Sequence, residues 1–158
     1  MPRHGGGKSV NDGIRVRSAE DGDVEEIVAL WGAAGLLRPW NDPRHDIAFA
    51  RNNAHSTVLV ATHDGAVVGT ATIGQDGHRG WIYYVASEPD MRRHGIGRRI
   101  MEAAERWLAE QGVWKVQLLI RFGNQEAEGF YEKLGYTDTR SRCFQKVLSK
   151  SGNLPSGS

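Results

Sequence analysis

The chain has 158 residues, with 20 Lys and Arg against 19 Asp and Glu, for a formal net charge of +1. That length holds one domain with a real core, and the near-balance of charge argues against a general binder of nucleic acid or of a membrane surface. The single cysteine, Cys143, rules out an intrachain disulfide, and its apolar-flanked setting reads as that of a small buried hydrophobe. No apolar run approaches the ~18 residues of a membrane span, and no leader with an apolar core is visible, so the expected setting is cytoplasmic.

Residues 1–13 are Gly-rich and polar and read as a flexible leader. Their "GGGKS" is similar to part of a phosphate-binding P-loop, but the required earlier glycine is Pro2 and no strand precedes it. "IRVRSA", from Ile14, reads as a strand. "DVEEIVALWGAAG" has Val24, Ile27, Val28, Leu30 and Trp31 at helical spacing, with acids in its first turn. After the loop "LLRPWNDPRHD", Pro43 suits the start of a second helix running to about Asn52. "STVLVATHDGAVVGTATI" is two β-rich runs joined at Asp64-Gly65, a hairpin signal. "GWIYYVAS" is a strand over 80–87. A helix over 97–111 turns Ile100, Ala104, Trp107 and Leu108 to one face, and Gly112 stops it. "KVQLLI" is a strand over 115–120, "NQEAEGFYEKLG" a helix, and "YTDTRSRCFQKVL" one or two final strands. The tail 149–158 is linker-like, so the domain spans 14–148. Hairpins first and a strand–helix–strand crossover later indicate a mixed α/β domain.

The crossover loop carries the chemistry. Between the strand over 80–87 and its helix runs Arg92-Arg93-His94-Gly95-Ile96-Gly97-Arg98-Arg99. A helix N-terminus is already partly positive, so arginines are disfavoured there unless an anion joins them. Glycines let the backbone amides approach such an anion, and four arginines suit one with several charges, such as a phosphate group. The alternative is a solvated basic turn. A dinucleotide fingerprint is a poor fit, because its third glycine is replaced by Ile100 and the motif falls late in the chain. Further on, Tyr131 lies seven residues beyond Asn124, in a helix that follows the next strand, where its hydroxyl can reach the mouth of the crossover. A buried phenol there is either a packing group or a proton donor.

With these two elements in place, the span from Ile14 to about Leu148 resembles the GNAT superfamily of acetyl-CoA-dependent N-acetyltransferases. The family's Q/R-x-x-G-x-G/A loop is matched by Arg92 through Gly97. Its late Asn and A-x-x-F-Y-x-x-L-G-F/Y element is matched by Asn124, Ala127, Phe130, Tyr131, Leu134, Gly135 and Tyr136. "LWGAAGLLRPWNDPRHDI" and "DGHRGWIYYVASEPDMRRHGIG" look like a YpeA-type bacterial subgroup. The resemblance implies a single domain with a mixed, mostly antiparallel sheet, splayed central strands and about four flanking helices. It further implies that acetyl-CoA is the acetyl donor. The pantetheine arm would lie along Val85, Ala86 and Ser87 and touch Asn124, while the amides from Arg93 to Arg98 hold the pyrophosphate, with Arg92, His94, Gly95, Ile96 and Gly97 in the same loop. Tyr131 would protonate the leaving thiolate as an amine attacks directly, with no covalent enzyme intermediate.

The match thins at the base and the acceptor. Among Glu88, Asp90 and Glu126, Glu88 is the first choice for receiving the amine's proton, with Tyr83 or Tyr84 ordering water. Trp40, Asn41, Asp42, His78 and Arg79 are the candidates for acceptor binding, by resemblance. The acceptor itself is a small molecule or a protein N-terminus or lysine, and a homodimer is among the options. The six histidines show no metal-ligand spacing, so no metal is expected. The rival reading is a non-catalytic acyl-CoA-binding sensor or interaction domain on the same scaffold; the presence of Tyr131 favours an enzyme.

Overall fold

The structure is a computed structural model that describes residues 13–149. The expected leader apart from Gly13, its "GGGKS", and the expected tail apart from Ser149 lie outside the described residues. Strand β1 (Ile14–Ser18) is followed by helices α1 (Val24–Ala33) and α2 (Pro43–Arg51). The turn into α1 is set by Asp23, whose carboxylate accepts from the Glu20 amide at 2.7 Å and from Arg17 at 2.6 and 3.0 Å. Helix α2 starts as its sequence requires, with Pro43 in its first turn and Asp42 accepting from the amides of Arg44 and His45.

Strands β2 (Ser56–His63) and β3 (Ala66–Gln75) form the hairpin expected at Asp64-Gly65, where both residues have positive φ, 51° and 80°. Then come β4 (Gly80–Ser87), α3 (Ile96–Glu110), β5 (Val116–Leu118) and α4 (Gln125–Lys133). The sheet runs β1-β2-β3-β4-β5, antiparallel as far as β4, with β4 and β5 parallel. Both faces are covered. Val58 and Val60 of β2 join Ile27, Trp31 and Ile47 beneath α1 and α2, while Leu59 and Ala61 join Ile100, Met101 and Leu108 beneath α3. The continuous "VLVA" in β2 reflects this double burial.

One irregularity positions everything that follows. Between Thr70↔Ala86 and Thr72↔Tyr83, β4 advances three residues against two on β3, a bulge that places Tyr84 at φ 52°. A buried chain holds it. The Trp31 indole donates to the Thr70 hydroxyl at 3.0 Å, and that hydroxyl donates to the Tyr84 carbonyl at 3.1 Å. Trp31 and Thr70 are both 0% exposed, and the Tyr84 ring stacks on Trp31 at 4.0 Å and 8°.

The chain after Tyr136 departs from expectation. No strand forms over residues 137–147, and Cys143 is exposed instead of buried, as are Phe144 and Val147. Two causes are visible. The expected strand over 115–120 shrinks to three residues, leaving little edge to pair with, and Arg140 at φ 58° turns the chain, its amide bonded to the Asp138 carboxylate at 2.7 Å.

The Trp31–Thr70–Tyr84 chain gives the first prediction. Thr70→Val keeps the shape but leaves the indole N–H unpaired in the core, so stability should fall by about 1–3 kcal/mol in denaturant titrations. Thr70→Ser, which keeps the hydroxyl, should lose less; equal losses would assign the effect to packing.

Candidate functional site

Pairing between β4 and β5 stops early. Only Gly80, Trp81 and Ile82 have partners, namely Val116, Gln117 and Leu118. Beyond Ile82 the β5-facing edge of β4, including Val85, Ala86 and Ser87, has no strand beside it among the described residues. The splayed gap expected between these strands is thus a feature of the fold. An open strand edge offers unpaired backbone donors and acceptors, the requirement for holding an extended amide-bearing chain.

The loop from β4 to α3 closes one end of this gap. Pro89–Met91 forms a single tight turn, with the amides of Arg92 and His94 donating back to Pro89 and Met91. Arg93 and Gly95 both take left-handed conformations, at φ 72° and 75°, and Gly95 is the cap residue of α3. No side chain caps that end, and the first amide to reach a helical partner is that of Arg99, bonded to the Gly95 carbonyl at 3.0 Å. The amides of Ile96, Gly97 and Arg98 therefore remain for a ligand. Gly97 has a second reason to be glycine, because a Cβ there would meet the Phe130 ring at 3.0 Å.

The four arginines divide. Arg99 donates to the Ile14 carbonyl at 2.8 Å, tying α3 to β1. Arg92 lies 3.4 Å from Glu126 in an exposed pair. The side chains of Arg93 and Arg98 hold no hydrogen bond or ion pair with another described residue. Asn124 caps α4, its oxygen accepting from the Ala127 amide at 3.1 Å. Tyr131 packs edge-on between Phe130 (5.0 Å) and Tyr136 (5.8 Å), against the core under α3, and burial pushes its phenol up to about 12. It is protonated at neutral pH. Glu88 leaves β4 half-buried, its amide bonded to the Val68 carbonyl at 2.8 Å.

The acceptor candidates divide between the segment before α2 and the turn before β4. Trp40 is 61% exposed, and Asp42 serves as the cap of α2. The amides of His78 and Arg79 bond the Asp76 carboxylate, and the Arg79 guanidinium sits over the Trp114 ring. Asn41 donates to the Tyr84 hydroxyl at 3.4 Å. What forms there is a cavity of about 380 Å³ lined by α2, β3 and β4, with Asp46, Phe49, Asp76, Trp81, Tyr83 and Tyr84 in its wall. Asp46 accepts from the Tyr84 hydroxyl at 2.8 Å. Burial and this bond push the Tyr84 phenol up to about 12, while the amides of Arg79 and His78 hold the Asp76 carboxyl below the ordinary range. Asp46 and Phe49 escaped the sequence reading; their three-residue spacing on α2 is the only trace they leave.

Comparison with known proteins places this geometry. The Acetyltransferase (GNAT) family profile matches residues 24–136. A transcriptional regulator from Bacillus halodurans C-125 superposes with a TM-score of 0.75 at 20% identity, over 85% of this chain and 99% of that one. The aminoglycoside acetyltransferase AAC(6')-Iy, solved with the bisubstrate analog CoA-S-monomethyl-acetylneamine, gives 0.75 at 16% identity, over 86% and 99%. The ribosomal-protein-S18-alanine N-acetyltransferase from Escherichia coli gives 0.67 at 24% identity, over 77% and 76%. At these identities the likeness is one of fold.

The left-handed cap at Gly95 is directly testable. Gly95→Val forces a branched side chain to φ 75°, and the protein should lose about 1–2 kcal/mol or more of stability. Gly95→Asn, which tolerates that region, should stay closer to the parent in thermal melts; equal losses would show that the backbone relaxes out of this conformation.

Proposed function

The chain belongs to the acetyltransferase (GNAT) family, and from that premise we propose that it transfers an acetyl group from acetyl-CoA to a primary amine by direct attack in a ternary complex. The observation that carries this reading is the unpaired edge of β4 beyond Ile82, opening beside an uncapped helix N-terminus with two unpartnered arginines. A strand-like arm ending in phosphates needs both features side by side.

In this reading the backbone of Val85, Ala86 and Ser87 holds the pantetheine arm, with the Asn124 side chain beside it. The amides from Ile96 to Arg98 face the pyrophosphate, in the loop formed by Arg92, Arg93, His94, Gly95 and Gly97, and an outer arginine is available to the ribose phosphate. Bound there, acetyl-CoA supplies an activated acyl carbon. A neutral amine adds to that carbon, so a C–N bond forms as the C–S bond breaks. The departing sulfur takes a proton from the Tyr131 phenol, which burial keeps protonated and which regains its proton from water. The proton shed by the amine leaves through water, with Glu88 the half-buried carboxylate at the end of β4. A cytoplasmic bacterial setting and the YpeA-type subgroup belong to the same reading, supported by the stretches around Trp40 and Trp81.

Acetyl-CoA should raise the melting temperature, because it binds only the folded chain. Arg93→Ala and Arg98→Ala should each weaken its binding by about 1–3 kcal/mol in calorimetry, while leaving the ligand-free melt unchanged. Unaltered affinity in both variants would remove the loop from the cofactor site.

Tyr131→Phe separates an enzyme from a binder. Cofactor affinity should persist while kcat falls about 10²–10⁴-fold. Because the phenol titrates near 12, the parent's rate should hold through about pH 9 to 10.5, where an ordinary tyrosine begins to ionise. Full turnover in Tyr131→Phe would return Tyr131 to a packing role.

A further inference from the structure

The cavity beneath α2 holds two carboxylates and no Lys, Arg or His in its wall. Arg38, whose charge reaches the Tyr84 hydroxyl, has its guanidinium bonded to the carbonyls of Gly35 and Leu37, both at 2.8 Å. The rest of the wall is aromatic. Trp81 and Tyr83 lie nearly parallel at 6.4 Å, and Asp76 fixes the Trp81 indole through a 3.1 Å bond from its N–H. Ring faces beside carboxylates form an environment for a cation. Thr72 also lines the wall, and its buried hydroxyl has no hydrogen-bond partner among the described residues.

The cavity's place in the fold decides how such a cation is used. Tyr83 and Tyr84 belong to the cavity wall and lie on β4 just beyond Ile82, where the gap to β5 opens. An amine with a single charge, held between Asp46 and Asp76, would be kept protonated by them and could not attack an acyl carbon. An amine with two nitrogens escapes this conflict. One stays charged among Asp46, Asp76 and the rings, while the spacer carries the other, neutral, toward the gap.

We propose that this cavity is the acceptor site and selects an aliphatic amine bearing a second positive charge, an inference that rests on the acetyl-transfer reading. The near nitrogen gains the acetyl group and gives up one proton. The sulfur leaves as a thiol with one proton, and the distal ammonium is unchanged. Asp46 and Asp76 bind the charge, and the Tyr84 hydroxyl orients Asp46.

The test compares 1,4-diaminobutane with n-butylamine on the full chain. Thiol release from acetyl-CoA is measured alongside calorimetric binding of each amine in the presence of CoA. The diamine should be preferred in kcat/KM by about 10- to 100-fold, the worth of a charge-assisted contact. Asp46→Asn and Asp76→Asn should each pull that ratio toward one and weaken diamine binding by a similar factor. Asp76→Asn keeps an oxygen for the turn amides; should it still fail to fold, Asp46→Asn decides alone, since its carboxylate has only the Tyr84 hydroxyl as a side-chain partner. Equal use of the two amines, a preference that survives both substitutions, or neither binding nor turnover of the diamine would overturn the proposal. Thiol release that is as fast with butylamine keeps acetyl transfer and removes the dication site. Diamine binding that depends on Asp46 and Asp76 without thiol release keeps the site and removes acetyl transfer.

Discussion

The hydrogen bonds from the Trp31 indole to the Thr70 hydroxyl, and from there to the Tyr84 carbonyl, hold β4 in a shape that a free strand would not keep. A non-glycine residue at φ 52° costs about 1–3 kcal/mol and persists only where its surroundings over-determine it. Here they do, since Tyr84 is also stacked on a tryptophan with no exposed surface and bonded through its hydroxyl to Asp46. Relaxing the bulge would break the bond from the Thr70 hydroxyl to the Tyr84 carbonyl and leave that hydroxyl proton unpaired beside the core. The kink lies just beyond the half of β4 that pairs with β5, in the half that does not. The gap and the acidic cavity adjoin at this distortion, because Tyr83 and Tyr84 supply the wall of one and stand at the mouth of the other.

The start of α3 carries a complementary tension. Positive side chains at a helix N-terminus oppose the helix dipole, typically by about 0.3–1 kcal/mol each. Two of the four arginines are compensated locally, Arg99 by the Ile14 carbonyl and Arg92 by an exposed pair with Glu126 that contributes at most about 1 kcal/mol. Arg93 is left-handed as well as unpartnered, so charge and backbone strain coincide on one residue. A fold under selection for stability alone has no use for this arrangement; an anion that binds the loop offsets both costs.

Much of this was legible in the sequence. Period and punctuation located the helices, the Asp64-Gly65 hairpin and the crossover, because those signals are local. The loop and Asn124–Tyr136 were readable as motifs. What stayed hidden depends on tertiary contact. Nothing in "GWIYYVAS" announces a bulge between Tyr83 and Ala86; it follows from Trp31 and Thr70, which lie 53 and 14 residues before Tyr84. Asp46 lies in the first turn of α2 and Asp42 caps that helix, and no local signal in the sequence sets Asp46 apart as facing the cavity. The segment after Tyr136 alternates like a strand, yet it found only three residues of β5 to meet.

Tyr131 and Tyr84, both with raised pKa values, differ in what their hydroxyls can do in the proposed reaction. Tyr131 and Tyr84 both sit near 12, and burial is the leading cause for each, so neither serves as a base at neutral pH. Tyr84 is tied to Asp46 and can only donate there, which fixes the carboxylate's direction. The Tyr131 hydroxyl has no hydrogen-bond partner among the described residues, although its ring is clamped between Phe130 and Tyr136. A held ring with an uncommitted proton suits donation to an incoming group, whereas a proton already committed to a carboxylate suits orientation. Proton release from the amine must then avoid the carboxylates of the cavity, which favour the charged form. In the proposed reaction this leaves Glu88, at the end of β4, as the candidate to receive it.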